Sequence, residues 1–374
     1  MSEESQKSKR LLSLDVFRGI TIAGMLIVNN PGTWSAVYPP LEHAKWHGLT
    51  PTDLIFPFFL FIMGIAMPFS FEKRIAAGAD TTKLLMHAVK RSIILILIGL
   101  FLNSNLLTDL PNLRWYGVLQ RIGIVYFFVS LIVLKFKTKG RYIFGFSLIA
   151  IYWILLKFIP LPGYGTGNLT QEGNIIGYVD RLIFSKEHLW LGNFDPEGLI
   201  SNLTAIVTSL IGYFLGDFIR KNKGKHLNIT NNLFVNGTVM MIIGYILTIW
   251  FPINKNLWTI SYVFVTAGMG ASLLGLCYWL IEIKQITFWI KPFLVLGLNA
   301  ITVYFLAELF NEILDILSIN GLSLKEIIYK NIFAPIGTAL NSMEFASLLY
   351  ALFFLIFWII IMNIFYKKKI FIKI

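Results

Sequence analysis

The sequence predicts an all-α, polytopic integral membrane protein of about ten transmembrane helices, with both termini in the cytoplasm. Three observations carry this. The 374 residues are 56% hydrophobic and only 14% charged, well short of the roughly one-quarter charged residues of soluble domains. Apolar stretches able to cross the ~30 Å hydrocarbon layer recur along the whole chain. Lys and Arg alternate strongly between successive loops. The net charge of +12 is therefore read as cytoplasmic-loop bias and not as a nucleic-acid footprint. The single cysteine, Cys277, excludes an intrachain disulfide and lies in an apolar run as a structural residue.

The predicted spans are 14–30, 54–71, 88–103, 115–134, 141–159, 199–219, 233–251, 260–281, 287–309 and 345–366. The first follows Lys7, Lys9 and Arg10, as a signal peptide would. Asp15 and Arg18 interrupt its apolar core, so it reads as a retained helix. Numbering the loops alternately from the N-terminus, one set carries 22 basic residues, in clusters at 7–10, 73–91, 135–141, 220–225, 284–291 and 367–373, and the other carries 7. The rich set marks the cytoplasm.

Two loops on the opposite side are long. Residues 160–198 hold "PLPGYGTGNLTQEGN" and "GNFDPEG", whose Gly, Pro and Asn content predicts largely irregular structure. Residues 310–344 hold "NEILDILSINGLSLKEIIYKNIF", where apolar positions at helical spacing predict short amphipathic helices near the outer surface. No tandem repeat is visible. The chain reads as one transmembrane domain, 1–374, with outer loops 31–52, 160–198 and 310–344.

The candidate functional residues cluster at that outer side. In "LEHAKWHGLTPTDLIFPFF" (41–59), His43, His47 and Asp53 directly precede an apolar span. The two histidines are four apart, a zinc-compatible spacing on a helix, but Gly48 and Pro51 predict a loop, and no metal is expected. Asp53 has two compatible roles. It can cap the helix that follows, or hold an imidazole in one tautomer and leave the other nitrogen as a base.

Asn29 and Asn30 close the first helix, where an amide can cap the end or donate to an oxyanion. At the cytoplasmic end, Asp15 and Arg18 are spaced for an ion pair, or Arg18 binds an anionic group. Gln120 and Arg121 lie in "GVLQRIGIVYFF". So deep an arginine must face the interior or a wet cavity, with Glu308 as its expected partner. In "PINKNLWTISY" (252–262), Asn254, Asn256 and Trp258 suit sugar contact, with Trp258 either stacking on a ring or anchoring at the membrane interface. No glycine-rich phosphate loop, Ser–His–Asp pattern or CxxC motif is present.

Six blocks occur in order: "LDVFRGITIAGMLIVNN", "HAKWHGLTPTDLIFPFFLFIMG", "GVLQRIGIVYF", "DPEGLISNLTAIVTSLIGYFLG", "PINKNLWTISYVF" and "LGLNAITVYFLAELF". Over about 14–310 the chain resembles the transmembrane region of the heparan-alpha-glucosaminide N-acetyltransferase family and its bacterial members. That family moves the acetyl group of cytosolic acetyl-CoA across a membrane to the amine of a terminal glucosamine. The resemblance implies His43 as the catalytic histidine, with Asp53 and Asn29 beside it. Arg18 matches the family's L-D-x-x-R-G motif and Gln120 with Arg121 its L-Q-R pair, and these three are expected to hold acetyl-CoA; Asn254, Asn256, Trp258 and Glu308 are expected to contact the amino sugar. It also implies a multi-pass protein of the cell (inner) membrane and, by analogy with relatives, a homodimer.

This chain resembles the compact bacterial form, without the lysosomal relative's N-terminal luminal region. His47 stands where that relative has Asn, and the interval from Asn29 to His43 is longer by a few residues. Two other classes stay open. One is a small-molecule transporter, for which the buried Arg18, Arg121 and Glu308 would also be suited. The other is an O-acyltransferase acting on a cell-envelope polymer. Direct transfer and an acetyl-histidine intermediate are both compatible with the residues present.

Overall fold

The computed structural model describes residues 11–372. The basic residues Lys7, Lys9, Arg10 and Lys373 of the charge-bias argument lie outside the described residues. Fourteen α-helices follow one another within that range: α1 (Leu12–Asn29), α2 (Ile55–Ala76), α3 (Thr81–Asn103), α4 (Val118–Lys135), α5 (Thr138–Phe158), α6 (Ile175–Ile183), α7 (Asn202–Lys221), α8 (His226–Leu247), α9 (Ile260–Tyr278), α10 (Lys291–Leu298), α11 (Ala300–Ile316), α12 (Leu324–Ile328), α13 (Ala334–Leu340) and α14 (Met343–Lys367). Nine helices among the described residues are long and apolar enough to cross a membrane, and α10 with α11 forms a tenth, bent unit. The protein is an all-α, multi-pass membrane protein.

Helices α1, α2, α7 and α9 form the buried centre, while α3, α5 and α8 turn most of their surface outward. The central crossings are tight because glycine lets backbones meet. A Cβ on Gly64 of α2 would collide with the Ser209 carbonyl of α7, and one on Gly212 of α7 with the Phe61 carbonyl. Between α1 and α10, a Cβ on Gly19 would strike the backbone of Phe293.

The structure departs from the sequence expectations in three places. The ninth predicted span, 287–309, is not one helix. It breaks at Asn299 (φ −125°, ψ 37°), and α10 and α11 meet at 86°. The Asn299 amide is held by the chain's far end, accepting from Ile372 N at 3.0 Å and donating to Ile370 O at 3.1 Å. Next, α3 and α8 each begin seven residues before the predicted start, at Thr81 and His226. For α3 the Asp80 side chain caps the polar first turn through Lys83 N at 2.7 Å. Finally, the 160–198 loop is more ordered than its composition predicts and contains α6, capped by Asn174 through Gly177 N at 2.8 Å.

Of the short helices expected in 310–344, α12 and α13 are present, whereas residues 310–316 complete α11 and a small hairpin follows, β1 (Ser318–Ile319) with β2 (Leu322–Ser323). Asn320 and Gly321 turn the hairpin, both with positive φ.

Candidate active site

The chain leaves α1 at Pro31–Gly32 and returns to the bundle at Pro51. The loop between is pinned at several points. Gly48 N donates to Ile253 O at 2.8 Å, the Trp46 indole to Leu169 O at 2.8 Å, and the Asn254 amide to Trp46 O at 2.8 Å. The 31–52, 160–174 and 252–259 segments are thereby stapled together over one end of the bundle.

A short 3-10 turn, Pro51–Leu54, leads into α2. Pro51 presets the first residue's φ, and Asp53 in this turn reaches back to the Thr50 backbone. Its Oδ2 accepts from Thr50 N at 3.1 Å, Thr50 Oγ1 at 3.0 Å and Ala44 N at 3.1 Å. Its Oδ1 lies 2.7 Å from His43 Nδ1. The cap and the imidazole partner are thus the same carboxylate, using one oxygen for each role. A carboxylate only accepts, so Nδ1 carries the proton toward Asp53 and Nε2 keeps its lone pair. Asp53 is buried, whereas the His43 side chain is half exposed and faces a cavity.

That cavity has a volume of about 460 Å³ and is walled by Asn29, His43, Asp53, Arg114, Glu197 and Lys255, with Asn256, Tyr304 and several aromatic and aliphatic side chains. Asn29, the last residue of α1, donates its amide to Glu308 Oε1 of α11 at 3.3 Å. The neighbouring Asn30 caps α1 instead, through Leu26 O at 3.0 Å.

On the facing wall the Arg114 guanidinium grips Asp195 at 2.6 and 2.7 Å and Glu197 at 2.5 Å. Burial works against the Glu197 carboxylate, but Arg114, Arg121 and Lys255 together hold it below the usual carboxylate range. The Lys255 ammonium rests against His43, 3.1 Å from Nε2 and 3.2 Å from Nδ1.

The structure therefore brings Asn29, His43, Asp53 and Asn256 around one cavity. The other residues assigned from sequence stand elsewhere. Trp258 neither stacks on a ligand nor anchors at an interface. It is 1% exposed, its indole N–H donates to Thr208 Oγ1 at 3.0 Å, and it packs edge-on to Phe56 and Tyr262. Asn254 is buried and bonded to Trp46 O, His47 Nδ1 and Leu257 N, so it builds the loop and offers nothing to a sugar.

Arg121 does not pair with Glu308. It donates to Gly198 O and Ser201 Oγ, and its guanidinium lies over Trp258 at 4.8 Å. Glu308 is held on Asn29 and does not line the cavity. Gln120 packs its amide against Gly99 and Gly117 at the α3–α4 crossing. Arg18 sits toward the other end of α1, 3.0 Å from Asp15 Oδ1 and 3.3 Å from Gly297 O.

Lys255, Glu197 and Arg114 were not singled out from sequence. Lys255 lies within the quoted "PINKNLW" block and Glu197 within "DPEG", so the signal was an ionisable residue inside a motif block. His47 is partly buried, which pushes its pKa down. It bonds Asn254 and stays a loop residue.

Comparison with known proteins adds to this geometry. The family described as a domain of unknown function, DUF5009, matches residues 10–191. A mouse (Mus musculus) protein named heparan-alpha-glucosaminide N-acetyltransferase is 29% identical over 98% of this chain and 61% of its own length. Its human (Homo sapiens) namesake is 30% identical over 98% of this chain and 60% of its own length. The chain thus spans about 60% of the length of the curated relatives it matches.

Proposed function

From a chain that is a distant homologue of the heparan-alpha-glucosaminide N-acetyltransferases, we propose that it is a transmembrane N-acetyltransferase. Its acetyl donor is acetyl-CoA and its acceptor is the amine of a glucosamine-type sugar on the other side of the membrane. The observation that carries the reading is the Asp53–His43 pair in the wall of a cavity shared with Asn29. Asp53 fixes the tautomer that leaves Nε2 free to take a proton from the attacking amine. The Asn29 amide stabilises the oxyanion of the tetrahedral intermediate. Transfer is direct, since an imidazole base suffices for an amine nucleophile.

The basic-residue bias argues that the cavity faces away from the cytoplasm and that Arg18 lies toward it. At 1.5 Å rise per residue, Arg18 and Asn29 are about 16 Å apart along α1. Acetyl-CoA then binds with its phosphates toward Arg18 and its thioester toward His43. Donor and acceptor meet in line from opposite compartments, and neither has to cross. The chain sits in the cell (inner) membrane as one domain whose outer loops cover the site. A transporter would gather its ionisable groups near mid-membrane, whereas here His43, Asp53, Glu197 and Lys255 surround one end cavity.

The test is CoA release from acetyl-CoA by the purified chain, measured against a panel of amino sugars and hydroxylated acceptors. Release driven by amino sugars is expected. Release with hydroxyl acceptors alone would replace this reading with O-acyl transfer, and no release with any acceptor would end it.

A further inference from the structure

The 252–259 loop contributes a group that the mechanism above does not use. Lys255 stands between Asn254, which is bonded to Trp46 O, and Asn256, which lines the cavity. Its backbone carbonyl accepts from Trp258 N at 3.0 Å, so the loop is held and Nζ is aimed into the cavity wall. There Nζ lies 3.1 Å from His43 Nε2 and 3.2 Å from Nδ1. An amine shared almost equally by both ring nitrogens rests against the imidazole and does not consume the Nε2 lone pair along its axis. The charged and titratable groups that face it are His43, Asp53, Glu197 and Arg121.

We propose that Lys255 is the acid partner of His43, donating a proton to the departing CoA sulfur while His43 takes one from the attacking amine. The inference rests on the acetyl-transfer reading. The amine nitrogen bonds to the acyl carbon, and the C–S bond then breaks with its electron pair on sulfur. Sulfur takes a proton from Nζ. Nε2 takes the proton released by the amine, and once the products leave, His43 sheds that proton and Lys255 regains one by exchange with water in the open cavity. Both groups finish as they began, and the products are an amide and a neutral thiol. Burial pushes the Lys255 ammonium down from the usual lysine range, with Arg121 adding to this and Glu197 and Asp53 opposing it. That direction brings the acid nearer the operating pH, where proton transfer is most effective.

Leaving-group chemistry separates an acid from a structural lysine. An aryl thiolate departs without a proton, so p-nitrophenyl thioacetate should bypass a missing acid, with His43→Ala giving the uncatalysed background. Lys255→Met should lower acetyl-CoA turnover roughly 10²- to 10³-fold while turnover of the aryl donor stays close to wild type. Lys255→Arg keeps the charge but cannot release a proton near neutral pH, so it should show the same split. Thermal unfolding and acetyl-CoA binding check that each variant is folded. Equal losses with both donors, or full acetyl-CoA activity in Lys255→Arg, would overturn the acid role and leave the proposed function standing. A wild-type chain inactive with every amine acceptor would overturn the proposed function, and this inference with it.

Discussion

Asp53 divides its carboxylate between two tasks. Oδ1 meets His43 Nδ1 at 2.7 Å, and Oδ2 collects three donors from Thr50 and Ala44. The residue that ties down the turn leading into α2 also sets the tautomer of the histidine in the cavity wall.

Asp53→Asn keeps the shape and can keep the cap, but its amide can present an N–H toward Nδ1. The imidazole proton then moves to Nε2, where a lone pair is needed. We expect kcat to fall by about 10²- to 10⁴-fold with acetyl-CoA affinity unchanged. Steady-state kinetics and equilibrium binding separate the two. A variant with near-normal kcat would leave Asp53 as a helix cap only.

Glu308 is expected to act through Asn29. Truncating Asn29 to Ala should cost about 10²- to 10³-fold in kcat, the usual range for an oxyanion donor. Glu308→Ala should lose part of that, and Glu308→Gln, which retains an acceptor oxygen, should recover most of it. A change confined to KM for the sugar would instead make Glu308 a substrate contact.

Stability should depend on pH through Asp180, which is buried in α6 of the 160–198 loop. Burial pushes its pKa from 3.8 up to about 6. Between those values the folded chain holds a proton that the unfolded chain has released. The stabilisation is complete below the unfolded value and is lost as pH rises through the folded one. Acidifying from about pH 7.5 to about pH 5.5 should therefore stabilise the wild type through this group by about 0.8 kcal/mol, out of roughly 3 kcal/mol in full. Thermal unfolding of Asp180→Asn should show a smaller rise than wild type over that interval. An identical rise in both would rule the group out.

The spans and the His43–Asp53 pair were legible because both are local. Apolar length marks a helix wherever it occurs, and ten residues with one capping turn join the histidine to its carboxylate. What failed was non-local. Asn299 looked like one polar residue inside an apolar run, and its break is held by Ile370 and Ile372 at the far end of the chain. Trp258 has the composition of an interface residue, and only the packing of α2, α7 and α9 shows that it fills the core. Lys255 read as one basic loop residue among several, because its partner is 212 positions away in sequence.

The most direct measurement is CoA release in proteoliposomes with acetyl-CoA on one side and glucosamine on the other, comparing wild type with His43→Ala. The wild type should yield N-acetylglucosamine and the variant none above background, with equal acetyl-CoA binding by both. Near-normal product from His43→Ala, or acetyl trapped on the wild-type enzyme before acceptor is added, would contradict direct transfer with His43 as the base.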